Sequence, residues 1–179
     1  MNTVAERPAA IRTICIKLVG NPWELAGTQA LRRAVFCDEQ GIFHGDDRDA
    51  VDARALPIAA LMDNQDGEPE VIGTVRIHEE APGVWYGSRL AVARHGRRIG
   101  SVGSGLIQLA VSTAHARGCH TFLAQVQSQN VPLFKKLHWH SLSELDIHGR
   151  PHILMQADLA FYPPNNEGEI ILSNGRSRS

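Results

Sequence analysis

Residues 89–106 read RLAVARHGRRIGSVGSGL. The segment 85–92, which leads into this stretch, is rich in aromatic and apolar residues and predicts a strand. A basic, glycine-rich turn follows it. From Val102 to Ala114 apolar residues then recur at steps of three and four, which predicts a helix with one apolar face that Gly118 ends. The sequence therefore predicts a strand, a tight turn and a helix.

The turn places small and basic residues at the N-terminus of the predicted helix. Unpaired N–H groups and the positive end of the helix dipole favour an anion there. Glycines let a phosphate approach the backbone, arginines add charge-assisted hydrogen bonds, and serines add hydroxyl donors. The residues are Arg97, Arg98, Gly100, Ser101, Gly103, Ser104 and Gly105. We expect a diphosphate to fit, and the alternative is an ordinary strand-to-helix connection.

This stretch resembles the acetyl-CoA-binding motif of the GCN5-related N-acetyltransferases (GNAT), written Arg/Gln-x-x-Gly-x-Gly/Ala. Arg98 and Gly103 match the motif, whereas Ser101 stands at its first glycine and Gly100 lies one residue early. The resemblance implies acetyl-CoA as co-substrate. The binding residues that it implies in this segment are Leu90, Ala91, Val92, Arg97, Arg98, Gly100, Ser101, Val102, Gly103 and Ser104.

A second phrase, SQNVPLFKKLHW at 128–139, resembles the family's Asn-x-x-x-Tyr-x-Lys-x-Gly-Phe. The resemblance implies that Asn130 contacts the pantetheine arm or the pyrophosphate, and that a short helix at 131–137 borders the cofactor. Phe134 stands where the family has a tyrosine that protonates the leaving thiolate, and a phenyl ring cannot donate a proton. Water or His138 could take that role. The change also fits a domain that binds acyl-CoA without transferring the acyl group.

The resemblance implies an α/β (α+β) GNAT fold, with one mixed, mostly antiparallel sheet of about six to seven strands and flanking helices. Periodicity predicts strands at 11–19, 56–62, 71–78, 85–92, 120–126, 141–147 and 152–158, and helices from Asn21-Pro22 and at 101–117. The strand–helix–strand unit predicts that 85–92 and 120–126 run parallel. We expect a flexible N-terminus at 1–10, the GNAT domain at 11–162, and a disordered tail at 163–179 apart from the apolar run 170–172.

Composition narrows the class of partner. The net charge of −1 and the lack of a basic tract argue against a nucleic-acid binder and favour a small molecule. No stretch approaches the roughly 20 apolar residues of a membrane span, so we expect no membrane partner and a cytoplasmic protein. The three cysteines form no CxxC pair, and the nine histidines show no metal-ligand spacing, so no metal is expected.

Two further phrases bear on the acceptor. Residues 32–43, RRAVFCDEQGIF, resemble the Arg-x-x-Val-Phe-x-x-Glu-Gln phrase of a branch of the superfamily in which the first helix borders the acceptor site. The pattern Asp47-x-Asp49-x-x-Asp52 resembles acyl-homoserine-lactone synthases, which share the fold and bind S-adenosylmethionine. These carboxylates could instead hold a cationic amine or belong to a solvated loop.

The resemblance implies direct attack of a small primary amine on the thioester in a ternary complex. The amine must first lose a proton, because alkylamines have a pKa of about 10.4. Family members often use a glutamate of the fourth strand as base, and this chain has none there; Glu39, His78 and Glu79 are the candidates. A backbone N–H near residues 90–92 would stabilise the oxyanion.

The leading hypothesis is therefore an N-acetyltransferase. The alternatives are an acyl-homoserine-lactone-synthase-like acyltransferase and a non-catalytic acyl-CoA sensor or subunit. The sequence also resembles those of a bacterial GNAT subgroup named for nitrogen starvation. A sheet edge or the run 170–172 could support a homodimer.

Overall fold

The computed structural model describes residues 12–173, so the segment 1–10 lies outside the described residues. Its core is one sheet with the strand order β6-β7-β5-β4-β3-β2-β1-β8. The strands are β1 (Thr13–Leu18), β2 (Leu56–Asp63), β3 (Pro69–Ala81), β4 (Val84–Val92), β5 (Thr121–Gln127), β6 (Trp139–Ile147), β7 (Arg150–Ala157) and β8 (Glu169–Ser173). The α-helices of this part of the chain are α1 (Pro22–Arg32), α2 (Val102–Ala116) and α3 (Val131–Lys136). This is the mixed α/β GNAT fold that the sequence predicts.

Within residues 12–173 the sheet has eight strands instead of six to seven, and β8 comes from the segment expected to form the tail. β8 pairs antiparallel with β1, with Ile170 opposite Ile16 and Leu172 opposite Ile14. Ile170 and Leu172 pack against the core, while Ile171 between them is 58% exposed. The apolar run 170–172, which the sequence analysis sets apart from the tail around it, thus lies in a strand whose alternate apolar residues complete a buried face.

The start of α1 follows the predicted capping pattern. The Asn21 side chain accepts a hydrogen bond of 3.1 Å from the N–H of Glu24, and Pro22 occupies the first helical position. After Arg32 the helix continues as a π-helix over Arg33–Glu39. Such wider turns are rare and often lie at functional sites. Here the π-helix contains RAVFCDE, which is part of the segment 32–43 that the sequence analysis expects to border the acceptor site.

Helix α2 packs closely on one face of the sheet. Leu106, Leu109 and Val102 are completely buried there. Gly105 allows the close approach, because a Cβ at this position would lie 2.5 Å from Cδ1 of Ile16 and 2.9 Å from Cδ1 of Leu172. None of the helices within residues 12–173 is long and apolar enough to cross a membrane.

Strands β4 and β5 run parallel, as predicted, and in the described structure their pairing covers only Val84–Gly87 against Thr121–Ala124. Beyond Gly87, β4 stays bonded to β3 while β5 stays bonded to β7. β4 also carries a bulge, since Arg89 and Leu90 together oppose Val75 of β3, and Arg89 has a φ of 55°. The sheet therefore has a gap between β4 and β5, and the bulge lies at its edge.

We expect Gly105→Ala to lower the free energy of unfolding by about 1–3 kcal/mol, because the added methyl overlaps the side chains of β1 and β8. Gly103→Ala is the matched control, since a Cβ there meets no atom of the described chain within 4 Å. Urea denaturation of the two variants measures the difference. Equal stability of both would contradict the close packing of α2 on the sheet.

Candidate active site

Two cavities open at the gap between β4 and β5. The larger one, of about 630 Å³, is bordered by β3, β4, β5 and the π-helix. The smaller one, of about 380 Å³, lies at the N-terminal end of α2. Gln40, Leu90 and Asn130 line both cavities. The cavities therefore meet beside the β4 bulge.

The smaller cavity contains the glycine-rich turn. Arg97, Gly100, Gly103 and Ser104 line it. A Cβ added at Gly100 or Gly103 would meet no described atom within 4 Å, so the backbone is open to a ligand there. Among the residues described, none caps the first turn of α2 with a side chain, because Ser101 at the N-cap makes no such bond. The N–H of Val102 donates to the backbone oxygen of Ile99, and the N–H groups of Gly103 and Ser104 remain available to an anion.

The other predicted cofactor residues fall into two groups. The first group lines a cavity: the smaller one is lined by Leu90, Ala91, Val92 and Asn130, and the larger one by Phe134. The ring of Phe134 packs edge-on against Trp139, with ring centroids 5.0 Å apart. Three do not line either cavity formed by residues 12–173: Arg98 is exposed, Ser101 is the N-cap, and the Val102 side chain is in the core. Arg97, one residue earlier than the motif position, contributes the guanidinium group.

Glu39 lies in the smaller cavity, where it pairs with the basic turn. Its carboxylate accepts a hydrogen bond of 2.7 Å from Nη2 of Arg97 and one of 3.3 Å from Nε of Arg94. The hydrogen bond from Arg97 holds the pKa of Glu39 below its usual range. Glu39 is thus an ionised partner of the arginines, which is unfavourable for the general base that the sequence suggests.

The acidic loop forms an ion-pair network with three arginines. Asp47, which is 1% exposed, accepts hydrogen bonds from Nε of Arg32 at 2.7 Å and from Nε of Arg89 at 3.0 Å. Asp49 accepts a bond of 2.7 Å from Nη1 of Arg76. These carboxylates are engaged inside the protein, so the interpretation that they hold a cationic amine does not fit Asp47.

Asp52 completes the network. It lies 2.7 Å from Nη1 of Arg32 and 2.9 Å from Nη1 of Arg76. Burial opposes its charged form, but hydrogen bonds from Arg32, from the N–H of Asp49 and from Arg76 outweigh burial and hold the pKa of Asp52 well below its usual range. The network anchors the acidic loop beneath the larger cavity.

Arg89 links the network to the bulge. Its Nη2 donates to the backbone oxygen of Asp47 at 3.0 Å, and its Cζ lies 4.6 Å from the ring centroid of Phe43. A positive φ is unfavourable for a side chain as large as arginine. The ion pairs and the cation–π contact offset that strain, so the network fixes the backbone at the junction of the two cavities.

His78 of β3 lines the larger cavity and is 7% exposed. Its Nε2 lies 2.9 Å from Oε2 of Glu80, and its ring stacks on Tyr86 with centroids 5.8 Å apart. Nδ1 is buried and has no hydrogen-bond partner among the described residues. When Nε2 carries the proton shared with Glu80, Nδ1 is an acceptor and is suited to take a proton from an amine.

Glu80 was not among the residues singled out from the sequence. Its other contact is a hydrogen bond of 2.9 Å from Nη2 of Arg54. That bond and the one to His78 hold the pKa of Glu80 below its usual range. The available signal was its spacing of two from His78, which places both side chains on one face of a strand.

The remaining catalytic candidates lie elsewhere. The exposed Glu79 accepts a hydrogen bond of 3.3 Å from the N–H of Gly83. His138 has a φ of 67°, and its ring stacks on Phe161 at 3.6 Å. Neither lines a cavity formed by the described residues. Within 12–173, no group of three or more His, Cys, Asp or Glu side chains could hold a metal ion.

The comparison with protein families agrees with this geometry. Residues 28–139, more than half of the chain, match the model of the acetyltransferase (GNAT) family. The chain belongs to this family, whose members use acetyl-CoA, and it is an acyltransferase.

Solved structures share the fold at low sequence identity. A proposed N-acetyltransferase from Lactobacillus plantarum is 22% identical with a TM-score of 0.67, over 80% of this chain and 97% of that one. Escherichia coli ElaA is 20% identical with a TM-score of 0.65, over 81% and 98%. An aminoglycoside 6'-N-acetyltransferase complexed with coenzyme A is 16% identical with a TM-score of 0.64, over 79% and 94%. No curated protein matches the chain.

We expect Asp52→Asn to lower the free energy of unfolding at pH 7 by about 2 kcal/mol, because two buried arginines lose a charged partner. The folded-state pKa of Asp52 lies below the unfolded value of about 3.9. The unfolded chain therefore binds the proton first as the pH falls, and the wild type loses this contribution below about pH 4. As the pH is lowered, the free energy of unfolding of Asp52→Asn should fall less steeply than that of the wild type.

Urea denaturation between pH 7 and pH 2 measures both effects. Asp66→Asn, in the exposed turn between β2 and β3, is the matched control. Identical pH profiles for wild type and Asp52→Asn would show that the network does not stabilise the fold.

Proposed function

We propose that this protein transfers an acetyl group from acetyl-CoA to the primary amine of a small molecule by direct attack in a ternary complex. The meeting of the two cavities at Gln40, Leu90 and Asn130 carries this proposal. The smaller cavity contains the glycine-rich turn, which can bind an anion. The larger cavity is lined by His78, whose buried Nδ1 can accept a proton. A cofactor and an amine entering by separate cavities would meet at the bulge.

In this proposal the diphosphate of the cofactor binds the turn from Gly100 to Ser104, with Arg97 as the cationic partner. The pantetheine arm follows residues 90–92 and passes Asn130. The thioester then lies in the gap between β4 and β5. The bulge at Leu90 supplies a backbone N–H outside the regular ladder, which would stabilise the oxyanion.

The amine approaches through the larger cavity. Nδ1 of His78 takes a proton from it, and Glu80 holds the imidazole in the required tautomer. The amine nitrogen bonds to the thioester carbon, and the carbon–sulfur bond then breaks. Phe134 cannot protonate the leaving thiolate, but a thiol with a pKa near 8.5 leaves readily. The second proton that the amine nitrogen loses as the amide forms reaches the sulfur through water.

A lactone-synthase-like activity is the second candidate. The Asp47-x-Asp49-x-x-Asp52 pattern favours it. TofI, solved in a ternary complex with an inhibitor and MTA, has a similar fold. The two chains are 18% identical with a TM-score of 0.64, over 85% of this chain and 97% of that one. That likeness shows the fold alone. Including S-adenosylmethionine among the acceptors in the assay separates the two activities.

We further infer two finer points from the sequence and one from the sheet. The sequences at 89–92, 105–119 and 129–139 support membership of the nitrogen-starvation subgroup. The composition supports a cytoplasmic location. The strand β8 lies at an edge of the sheet in the described structure and carries the exposed Ile171, which supports a homodimer through this edge.

Gly103→Asp tests the cofactor site. We expect the affinity for acetyl-CoA to fall at least about 100-fold, because the new carboxylate repels the diphosphate. Folding should persist, since an acidic residue in the first turn of a helix is favourable. Gly103→Ala is the control and should retain binding. Isothermal titration with acetyl-CoA measures both variants, and unchanged affinity in Gly103→Asp would reject this site.

His78→Gln tests the proposed base. We expect kcat to fall about 100-fold with little change in acetyl-CoA affinity, because the Gln side chain cannot take a proton from the amine. Glu79→Gln, its neighbour on the same strand, should stay within about twofold of wild type. Release of CoA thiol in the presence of an amine panel measures the rates. Equal activity of His78→Gln and wild type would assign the base elsewhere.

A further inference from the structure

The larger cavity passes through the plane of the sheet. On β3, the side chains of Arg76 and His78 lie on the face toward the acidic loop, while Val75 and Ile77, which alternate with them, lie on the face that packs against α2. The cavity is lined by side chains of both faces. It can cross the sheet because β4 and β5 separate after Gly87 and Ala124.

The half of this cavity on the α2 side is apolar and deeply buried. Its walls include Ile107, Ala110, Val111, Phe122, Val126 and Trp139, each no more than 5% exposed. The polar and charged groups lie on the opposite side, where His78, Glu80 and Asp49 line the cavity. The two halves therefore offer different chemistry to a molecule in the gap.

An acetyl group in the gap would contact only a part of the apolar wall on the α2 side. Open volume in a core is destabilising unless something occupies it, and a buried apolar cavity binds apolar ligands rather than water. The total volume of about 630 Å³ covers both sides of the sheet, so the amine, the thioester and the acyl chain would share it. The small side chains of Ala110 and Ala124 border this space, where larger residues would close it.

We propose that the inner half binds the acyl chain of the donor, and that the protein prefers linear acyl-CoA donors longer than acetyl-CoA. This inference rests on the proposed function. The thioester lies at the junction beside Leu90, the acyl chain extends toward α2, and the amine arrives from the side of His78. The reaction is unchanged, with nitrogen–carbon bond formation, carbon–sulfur bond cleavage and release of CoA.

A series of saturated acyl-CoA donors from two to ten carbons tests this preference with one amine that accepts acetyl. Each added methylene should raise kcat/KM by about three- to fourfold until the inner half is filled, after which kcat/KM should fall. The increase should appear mainly in KM. A kcat/KM that is flat or declines from acetyl-CoA onward would overturn the inference.

Ala110→Leu narrows the inner half from the side of α2. We expect kcat/KM with the longest accepted donors to fall at least about tenfold more than kcat/KM with acetyl-CoA. Ala124→Val narrows the same space from β5 and gives an independent test if the first variant does not fold. Ala116→Leu, on α2 but away from the cavity, should leave the chain-length profile unchanged.

The outcomes separate the two proposals. If acetyl-CoA is used and longer donors are not, the acyl-chain site is rejected and the proposed acetyl transfer stands. Equal loss for acetyl and longer donors in a folded Ala110→Leu also rejects the acyl-chain site. If no CoA thioester supports acylation of any amine, the proposed function itself is rejected.

Discussion

The separation of β4 from β5 is the constraint on which the site depends. The two strands pair over only four residue positions of the described chain and then diverge. Backbone groups that leave a ladder must find other partners, and in a buried position this is costly. In this fold the gap is where two cavities meet, so the backbone at the bulge is presented to whatever enters them. A fully paired sheet would leave no passage between the glycine-rich turn and His78.

The ion pairs beneath the gap keep it in one arrangement. Arg89 has a positive φ at the bulge, and its guanidinium group is held by Asp47, which also binds Arg32. Buried pairs of this kind add little net stability because both charges lose hydration, but they are costly to break. The acidic loop that the sequence marks as a possible ligand for amines therefore has a structural role at Asp47. It fixes the position of the strand that borders both cavities.

Local pattern was sufficient to predict the strand, turn and helix around residues 85–117, the parallel pairing of β4 with β5, and the cap at Asn21. Each of these depends on residues close together in sequence or on a general rule of connection. The partners of the aspartates could not be predicted, because Arg76 and Arg89 lie 27 and 42 residues from the carboxylates that they bind. The same holds for β8, whose strand partner β1 is at the other end of the chain. His78 was a candidate from the sequence, but only the fold shows that Glu80 orients it and that Glu79 turns toward Gly83.

The most direct test of this account is a crystal structure of the protein with a non-hydrolysable thioether analogue of acetyl-CoA. We expect the diphosphate at residues 100–104 and the pantetheine arm in the gap between β4 and β5. The carbonyl oxygen should lie within hydrogen-bonding distance of a backbone N–H at the Leu90 bulge. The side of the carbonyl facing His78 should be open to an amine. A cofactor bound outside the gap, or a carbonyl directed away from the bulge, would contradict the account.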